Sequence, residues 1–266
     1  MSFMVNPADM PAVTLTTGAQ MPMVGFGSWP LRGDQARDAV LAALEVGYRH
    51  IDTATAYANE EAIGEAIRAS GLPRSELFIT TKLRPDDAGR EEETLHESLR
   101  KLGTDYLDLW LHHGPVKSAE NRQIWAAMIK LQAAGHVRDI GVSNYSTAEL
   151  DEVTQSSGQA PAVNQVLWNP ACYDPAVLAD HAERGIAFEG YSPLRHTSLD
   201  DPVLTQIAAA HGVTAAQVVL RWHIEHDVTV IPRSGQPDRI AANIDLLGFA
   251  LTSEQTAAID GLAPRG

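Results

Sequence analysis

Residues 47–71, GYRHIDTATAYANEEAIGEAIRASG, contain one complete strand–loop–helix unit. The short stretch His50–Asp52 predicts a β-strand, and Glu60–Ala69 predicts a helix that ends before Gly71. The loop between them carries Tyr57. A strand, a helix and a second, parallel strand form the βαβ unit, so the fold depends on how often this unit recurs.

The unit recurs along the whole chain. We predict eight strands, near Val24–Gly27, His50–Asp52, Leu77–Thr81, Tyr106–His112, Asp139–Ser143, Ala162–Val166, Ile186–Tyr191 and Val228–Ile231. Helical patterns follow at Gln35–Val46, Glu60–Ala69, Glu92–Leu102, Asn121–Ala134, Thr147–Gln155, Pro175–Glu183, Ala215–His226, Arg239–Leu247 and Glu254–Gly261. A small hairpin over residues 13–24 precedes them. This alternation, without a break in composition, predicts an α/β protein with a single domain, residues 1–266, folded as a (β/α)8 TIM barrel with an N-terminal β-hairpin.

An open, doubly wound sheet is the alternative fold with the same alternation. Its dinucleotide-binding fingerprint is G-x-G-x-x-G, with the third glycine at the start of a helix. Here Gly25-Phe26-Gly27 is followed by Pro30 at the position of the third glycine. The missing fingerprint favours the barrel.

Composition excludes several classes of protein. The 266 residues include 20 Lys and Arg against 34 Asp and Glu, a formal net charge of −14, which disfavours a general nucleic-acid binder. The single cysteine, Cys172, cannot form an intramolecular disulfide, and we expect no metal site. The N-terminus lacks the basic residues of a targeting signal, and no run of 18 apolar residues occurs. These features predict a cytoplasmic protein that does not bind membranes.

Polar residues follow three successive predicted strands. Asp52 ends the second strand and Tyr57 lies in the loop after it, the third strand ends in Lys82, and the fourth ends in His112-His113. Because the active sites of (β/α)8 barrels lie at the C-terminal ends of the strands, we expect these side chains to meet. The alternative is that Asp52 and Lys82 form a structural ion pair and Tyr57 only packs in its loop.

This set of groups suits proton transfer to a carbonyl oxygen. A free tyrosine has a pKa of about 10, and a neighbouring Lys82 ammonium should lower the pKa of Tyr57. Asp52 would hold Lys82 in place and charged. An imidazole can donate a hydrogen bond to a carbonyl oxygen. These residues provide no nucleophile, and a hydride from a cofactor would supply one.

Several sequence blocks resemble the aldo-keto reductase family. The first is Gly47 to Ala54 followed by Tyr57 and Asn59-Glu60. Further blocks occur in the same order as in the family, namely Phe78 to Leu83, Asp105 to Leu109, Gly141 to Asn144, Asn164-Gln165 and Ile231 to Ser234. The resemblance spans about residues 13–262 and is greatest to the compact bacterial branch that includes 2,5-diketo-gluconate and methylglyoxal reductases. It implies the (β/α)8 fold that the strand–helix pattern predicts.

The resemblance implies a catalytic tetrad of Asp52, Tyr57, Lys82 and His113. The family has an apolar residue, His, Trp and Pro at the end of the fourth strand, where this chain has His112, His113, Gly114 and Pro115. The alignment therefore assigns catalysis to His113. His112 takes the apolar position and is expected to pack.

The resemblance also implies NADPH as the cofactor. Ser143, Asn144 and Gln165 would hydrogen-bond the nicotinamide carboxamide, and Tyr191 would stack on its ring.

The remaining cofactor positions follow the last two strands. The loop that contains Ser192 and Leu194 would approach the pyrophosphate, and Ile231 lies at the end of the last strand. Two guanidinium groups and a hydroxyl suit a dianionic 2′-phosphate, which favours NADPH over NADH. The residues at the adenosine end are Arg233, Ser234, Arg239 and Asn243.

The substrate pocket departs from the family pattern. Gly114 replaces a Trp that often walls the pocket, and Trp168 stands in a segment that usually reads Leu-His-Pro. We expect an open, reshaped pocket in which Trp29 and Trp168 restore an aromatic wall.

The resemblance predicts NADPH-dependent reduction of small aldehydes and ketones to alcohols by a monomer, with Tyr57 as the general acid. One alternative is an NADPH-binding sensory or regulatory subunit on the same fold with little turnover. Another is a barrel isomerase or lyase that acts on phosphorylated compounds, for which the tetrad would have no use.

Overall fold

The computed structural model describes residues 5–263, and its strands form a barrel. Eight parallel strands follow one another in chain order, each hydrogen-bonded to the next. They are β3 (Gly25–Gly27), β4 (His50–Asp52), β5 (Phe78–Leu83), β6 (Leu107–His112), β7 (Val137–Ser143), β8 (Val163–Leu167), β9 (Ala187–Tyr191) and β10 (Thr229–Val230). Val24 bridges Val230 in parallel, and the Gly27 N–H donates to the Pro232 carbonyl at 3.0 Å. The predicted (β/α)8 architecture is confirmed.

Ten α-helices surround these strands within residues 5–263. They are α1 (Gly33–Val46), α2 (Glu60–Ser70), α3 (Glu91–Leu102), α4 (Ser118–Ala133), α5 (Thr147–Ser157), α6 (Pro175–Glu183), α7 (Pro202–His211), α8 (Ala215–Glu225), α9 (Pro237–Ile244) and α10 (Ser253–Asp260). Gly47 ends α1 at a φ of 115°, where a Cβ would clash with the Val5 carbonyl oxygen. Only glycine fits that position.

Helix α7 is absent from the sequence prediction. Asp201 caps its N-terminus by accepting from the Val203 N–H at 2.8 Å, and Pro202 occupies the first helical position. Both are standard start signals. The helix buries Leu204 and Ile207 against α8. Together these side chains form a second apolar cluster beside the main core.

The predicted N-terminal hairpin is confirmed as β1 (Ala12–Thr14) and β2 (Gln20–Pro22). Leu15 and Met21 belong to an apolar cluster with Phe78 and Val163, the first residues of β5 and β8. The hairpin therefore closes the N-terminal end of the barrel with apolar side chains.

The interior of the barrel above this apolar floor is polar and charged. Five side chains on β4, β5, β8 and β9 are fully buried or nearly so, namely His50, Asp52, Lys82, Gln165 and Glu189. Buried charges are costly unless they are paired, so this layer points to function rather than to stability alone.

No single helix among residues 5–263 has the length and apolar character needed to cross a membrane, although α7 and α8, bent by 90°, meet the criterion as a pair.

Candidate active site

A cleft of about 730 Å³ opens where the strands end. Asp52, Ser143 and Tyr191, which line it, are the last residues of β4, β7 and β9. The cleft is thus at the C-terminal face of the barrel, as predicted. Its lining comprises Gly27, Trp29, Asp52, Ala56, Tyr57, His113, Ser143, Asn144, Gln165, Tyr191, Ser192, Pro193, Leu194, Arg195, Ile231, Pro232 and Arg233.

Lys82 and Asp52 form a buried ion pair beneath the cleft. The Lys82 Nζ donates to both Asp52 carboxylate oxygens, at 2.6 and 2.7 Å, and to the Thr53 carbonyl at 2.9 Å. All three ammonium hydrogens therefore have acceptors. Burial is the largest single influence and disfavours the charged form, but the charge and hydrogen bonds of Asp52, together with Tyr57 and Glu189, hold the pKa of Lys82 above its ordinary value. Lys82 is a fixed positive charge.

Tyr57 lies directly over this charge. It ends a short 3-10 helix, Thr55–Tyr57, and the Lys82 Nζ is 5.3 Å from its ring centre. Burial raises the pKa of Tyr57, while the Lys82 charge opposes the rise. The expectation of a lowered pKa is wrong for this structure, because desolvation of the phenolate exceeds the attraction of an ammonium that Asp52 already neutralises. Tyr57 is therefore protonated at neutral pH.

His113 faces Tyr57, and His112 does not. The ring centroids of Tyr57 and His113 are 5.6 Å apart. Burial and the Lys82 charge lower the pKa of His113 to about 4, so its imidazole is neutral and keeps one N–H donor. His112 lies 2.7 Å from the Tyr145 hydroxyl through its Nδ1 and is 1% exposed, so it packs away from the cleft, as predicted.

Four polar side chains predicted at the nicotinamide line the next part of the cleft. The Ser143 hydroxyl donates to the main-chain carbonyl of Gln165 at 2.8 Å. The Asn144 side-chain N–H donates to Ser143 Oγ at 3.1 Å. The Tyr191 hydroxyl donates to Asn144 Oδ1 at 3.0 Å. Asn144 has a φ of 59°, which orients it from the end of β7 into the cleft. The structure brings Ser143, Asn144, Gln165 and Tyr191 together.

Sequence reasoning missed two members of the buried polar layer, Glu189 and His50. The Gln165 amide donates one N–H to Asp52 Oδ2 and the other to Glu189 Oε2, both at 2.8 Å. Burial and the nearby Asp52 carboxylate raise the pKa of Glu189 to about 8. A charged residue inside the otherwise apolar strand Ile186–Tyr191 was a signal that could have found it.

His50 lies below Glu189. Its Nδ1 is 3.2 Å from the Pro22 carbonyl of the hairpin, so Nδ1 carries the proton, and its Nε2 accepts from Thr80 Oγ1 at 3.2 Å. Burial lowers the pKa of His50 to about 4. The polar layer thus reaches from the cleft to the hairpin.

The phosphate end of the predicted cofactor site is basic. Ser192, Leu194, Ile231 and Arg233 line the cleft, and Arg195, which sequence reasoning missed, joins them. Three further predicted residues, Ser234, Arg239 and Asn243, lie outside that lining. Ser234 and Asn243 are buried, and Arg239 is exposed in the first turn of α9. None of these arginines has an ion-pair partner within residues 5–263.

The predicted substrate wall is corrected in one respect. Trp29 is 52% exposed, lines the cleft and lies 5.1 Å from the Tyr57 ring. Trp168 is 3% exposed and packs on Phe188 and Tyr173, so it belongs to the core and the expectation that it walls the pocket is wrong. Gly114 follows His113 but does not line the cleft. A Cβ there would meet only Pro85, at 4.0 Å.

No group of three or more metal-ligating side chains occurs within residues 5–263. His223 is buried with its Nδ1 near the Val219 carbonyl, and His226 pairs with Asp260 at 2.8 Å. Both histidines serve packing.

Comparisons with known proteins identify the family to which this chain belongs. A family model described as the aldo/keto reductase family matches residues 23–264. A Mycolicibacterium vanbaalenii aldo-keto reductase is 45% identical over 97% of this chain and 94% of its own length. The 2,5-diketo-D-gluconic acid reductase B of a Corynebacterium is 42% identical, and the methylglyoxal reductase DkgA of Salmonella typhimurium is 41% identical, each over 96% of this chain and 94% of its own.

Solved structures have the same fold. A Brucella melitensis aldo/keto reductase superposes with a TM-score of 0.92 at 42% identity and covers 95% of this chain and 99% of its own. A Bombyx mori aldo-keto reductase in complex with NADP gives 0.89 at 35% identity, with 97% and 94% covered.

Proposed function

The chain belongs to the aldo/keto reductase family and is an NADP-dependent oxidoreductase; from this premise, we propose that it reduces aldehydes and ketones to alcohols with Tyr57 as the general acid. The observation that carries the proposal is the convergence of Tyr57 and His113 over the buried Lys82–Asp52 pair.

The residues of the cleft fit NADPH. A Cβ at Gly27 would lie 2.8 Å from the Ile231 carbonyl oxygen, so glycine is needed for the close approach of these two backbone segments, both of which line the cleft. Hydrogen-bonding side chains and the half-buried Tyr191 ring occupy the end near Tyr57. Cationic Arg195 and Arg233 line the same cleft. A polar aromatic subsite joined to a cationic one matches a nicotinamide joined to phosphates.

We assign the nicotinamide carboxamide to Ser143, Asn144 and Gln165, and the ring to Tyr191. Ser192, Leu194 and Ile231 lie where the pyrophosphate would pass. Arg233, Ser234, Arg239 and Asn243 would hold the adenosine 2′-phosphate and the adenine. A guanidinium binds a dianionic phosphate through two parallel hydrogen bonds, so these arginines favour NADPH over NADH.

Proton transfer falls to this chain's own residues. When bound, NADPH supplies the hydride that forms the new C–H bond. His113, neutral and facing Tyr57, donates an N–H to the carbonyl oxygen and orients it. Tyr57 gives its hydroxyl proton to that oxygen, so the carbonyl becomes an alcohol. Lys82 stabilises the tyrosinate left behind, and Asp52 keeps Lys82 in position.

The substrate would bind in the cleft beside Trp29 and His113, and Gly114, the next residue after His113, adds no side chain there. The named relatives reduce 2,5-diketo-D-gluconic acid and methylglyoxal, so we propose small dicarbonyl compounds as the first substrate class. One chain supplies every residue of the proposed site, and we propose that residues 1–266 act as a single monomeric domain.

The test is NADPH oxidation followed by absorbance with methylglyoxal, phenylglyoxal, a nitrobenzaldehyde, a keto sugar and a ketosteroid, with NADH as the control cofactor. We expect NADPH-dependent turnover, fastest with the small dicarbonyls. Tight NADPH binding without turnover across the panel would favour a sensory subunit and contradict the proposal. Light scattering during size-exclusion chromatography tests the monomer.

A further inference from the structure

Gln165 is held from below by two carboxyl groups. Its Nε2 donates to Asp52 Oδ2 and to Glu189 Oε2, each at 2.8 Å. A side-chain amide has only two N–H donors, so both are used inside the barrel. The atom left for a ligand is the carbonyl oxygen, on a side chain that lines the cleft.

The charge of Asp52 fixes which way the amide faces. Asp52 is the carboxylate that pairs with Lys82 at 2.6 Å, and an ionised carboxylate only accepts hydrogen bonds. Rotating the Gln165 amide by 180° would place its carbonyl oxygen against that carboxylate, which is repulsive. Asp52 alone, however, engages one N–H and leaves the other free to seek an acceptor in the cleft.

Glu189 engages the second N–H. Its side chain is fully buried, and its strand β9 pairs with β8, which carries Gln165. The groups around it are Asp52 and His50 on β4 and Lys82 on β5. Its other oxygen, Oε1, lies 3.7 Å from His50 Nε2 and has no hydrogen-bond partner within residues 5–263. The one hydrogen bond that Glu189 accepts from a side chain is therefore the one from Gln165.

We propose that Glu189 is a positioning residue that, together with Asp52, locks the Gln165 amide so that its carbonyl oxygen accepts a hydrogen bond from the nicotinamide carboxamide. This inference rests on the proposed placement of the nicotinamide at Gln165. A neutral carboxyl is sufficient for the role, because its carbonyl oxygen can accept the amide hydrogen bond. That agrees with the pKa of about 8 that burial gives Glu189.

The 3-acetylpyridine analogue of NADPH provides the test. In this analogue a methyl group replaces the amide nitrogen, so it cannot donate to Gln165. We would measure the Kd of NADPH and of the analogue by calorimetry at pH 6.5. No substrate is added, so the measurement involves no turnover. The wild-type protein should bind NADPH about 5-fold more tightly than the analogue, because one neutral hydrogen bond contributes an affinity of that size.

The variants separate positioning from mere burial. Glu189→Gln keeps a neutral acceptor in place and should retain the wild-type ratio of the two Kd values. Glu189→Leu frees the second N–H and should bring the ratio close to one. Glu60→Leu is the matched control, because Glu60 is another buried carboxyl, which accepts from Thr81 Oγ1 at 2.7 Å and forms no hydrogen bond with Gln165. It should leave the ratio unchanged.

Three outcomes would overturn the proposal: a wild-type protein that does not discriminate, a folded Glu189→Leu variant with the full wild-type ratio, or a Glu189→Gln variant that loses it. If thermal melting shows that Glu189→Leu does not fold, Glu189→Asp withdraws the carboxyl by one methylene and should show the same loss. Since only binding is measured, the result is independent of whether Tyr57 is the acid.

Discussion

The rings of Tyr57 and His113 face each other with their centroids 5.6 Å apart and their planes at 72°. One residue comes from the loop after β4 and the other from the end of β6, so the barrel brings together two groups that are distant in sequence. The hydroxyl of Tyr57 has a pKa above its ordinary value, and the imidazole of His113 has one below. The pair therefore offers one proton to transfer and one N–H to orient the acceptor.

Tyr57→Phe should remove the acid and leave the cleft unchanged. General acid catalysis contributes about 10²- to 10⁴-fold, so we expect kcat to fall by at least about 10²-fold. The Kd for NADPH, measured by fluorescence, should stay within about 2-fold. Near-normal turnover would show that another group delivers the proton.

Lys82→Met should lower both activity and stability. It leaves the Asp52 carboxylate buried and unpaired, which costs about 3–5 kcal/mol. The double variant Lys82→Met/Asp52→Leu removes both charges and should recover most of the free energy of unfolding in urea, while activity stays low. If stability and activity recovered together, the pair would be structural only.

Arg233→Ala and Arg239→Ala should each weaken NADPH binding by about 10-fold, the loss of a charge-assisted hydrogen bond to phosphate. Neither should change KM for NADH, which lacks the 2′-phosphate. Arg138→Ala is a control on the surface, since Arg138 pairs with Asp108 and stacks on Tyr106. An equal loss with both cofactors would place the arginines elsewhere on the dinucleotide.

Acid should unfold the protein between about pH 6.5 and pH 4. Burial is the first cause that lowers the pKa of four histidines, His50, His112, His113 and His223, to about 4. In this range the unfolded chain binds protons that the folded chain does not, so the stability that these histidines contribute is fully present above pH 6.5 and is lost as the pH drops. Urea unfolding at pH 7.0, 5.5 and 4.5 measures this loss. A free energy of unfolding that is constant over the range would contradict it.

Glu189 should have the opposite dependence. Its pKa of about 8 lies above the ordinary value, so the folded protein retains a proton that the unfolded chain releases. Its contribution weakens stability as the pH rises toward 8. Glu189→Gln should therefore flatten the decline of unfolding free energy between pH 6 and 8, and an unchanged slope would argue that Glu189 is ionised.

Gly114→Trp should narrow substrate choice. A Cβ at this position meets only Pro85, at 4.0 Å, so the backbone tolerates a side chain. The indole would take up space beside His113, and kcat/KM for a ketosteroid should fall more than that for methylglyoxal. Gly114→Ala, which adds one methyl group, should leave both values close to wild type.

Much of the fold was predictable because a barrel repeats one local rule. Each strand is a short apolar run and each helix has a 3.6-residue period, so the eight units could be read one at a time. Helix α7 was missed even though Asp201 and Pro202 mark its start, because it is an additional helix that interrupts the alternation.

The polar residues at strand ends were predictable from topology. The buried partner of Gln165 and the side chains that wall the substrate pocket were not. Glu189 is defined by its contact with Gln165, and that contact depends on the register between β8 and β9. Trp168 was assigned to the pocket from the loop sequence, but it packs on Phe188. The direction of the Tyr57 pKa depends on how deeply the ring is buried, which no spacing of residues reveals.

The hairpin at the base of the barrel has a consequence for how the site evolves. Leu15 and Met21 cover the ends of strands that carry no chemistry, and the Pro22 carbonyl holds the lowest member of the polar layer, His50. The polar layer that contains Lys82 is therefore held from beneath by a hairpin that does not line the cleft. Loops at the opposite end of the barrel can therefore change, and with them the choice of carbonyl substrate. The buried residues that support proton transfer need not change with them.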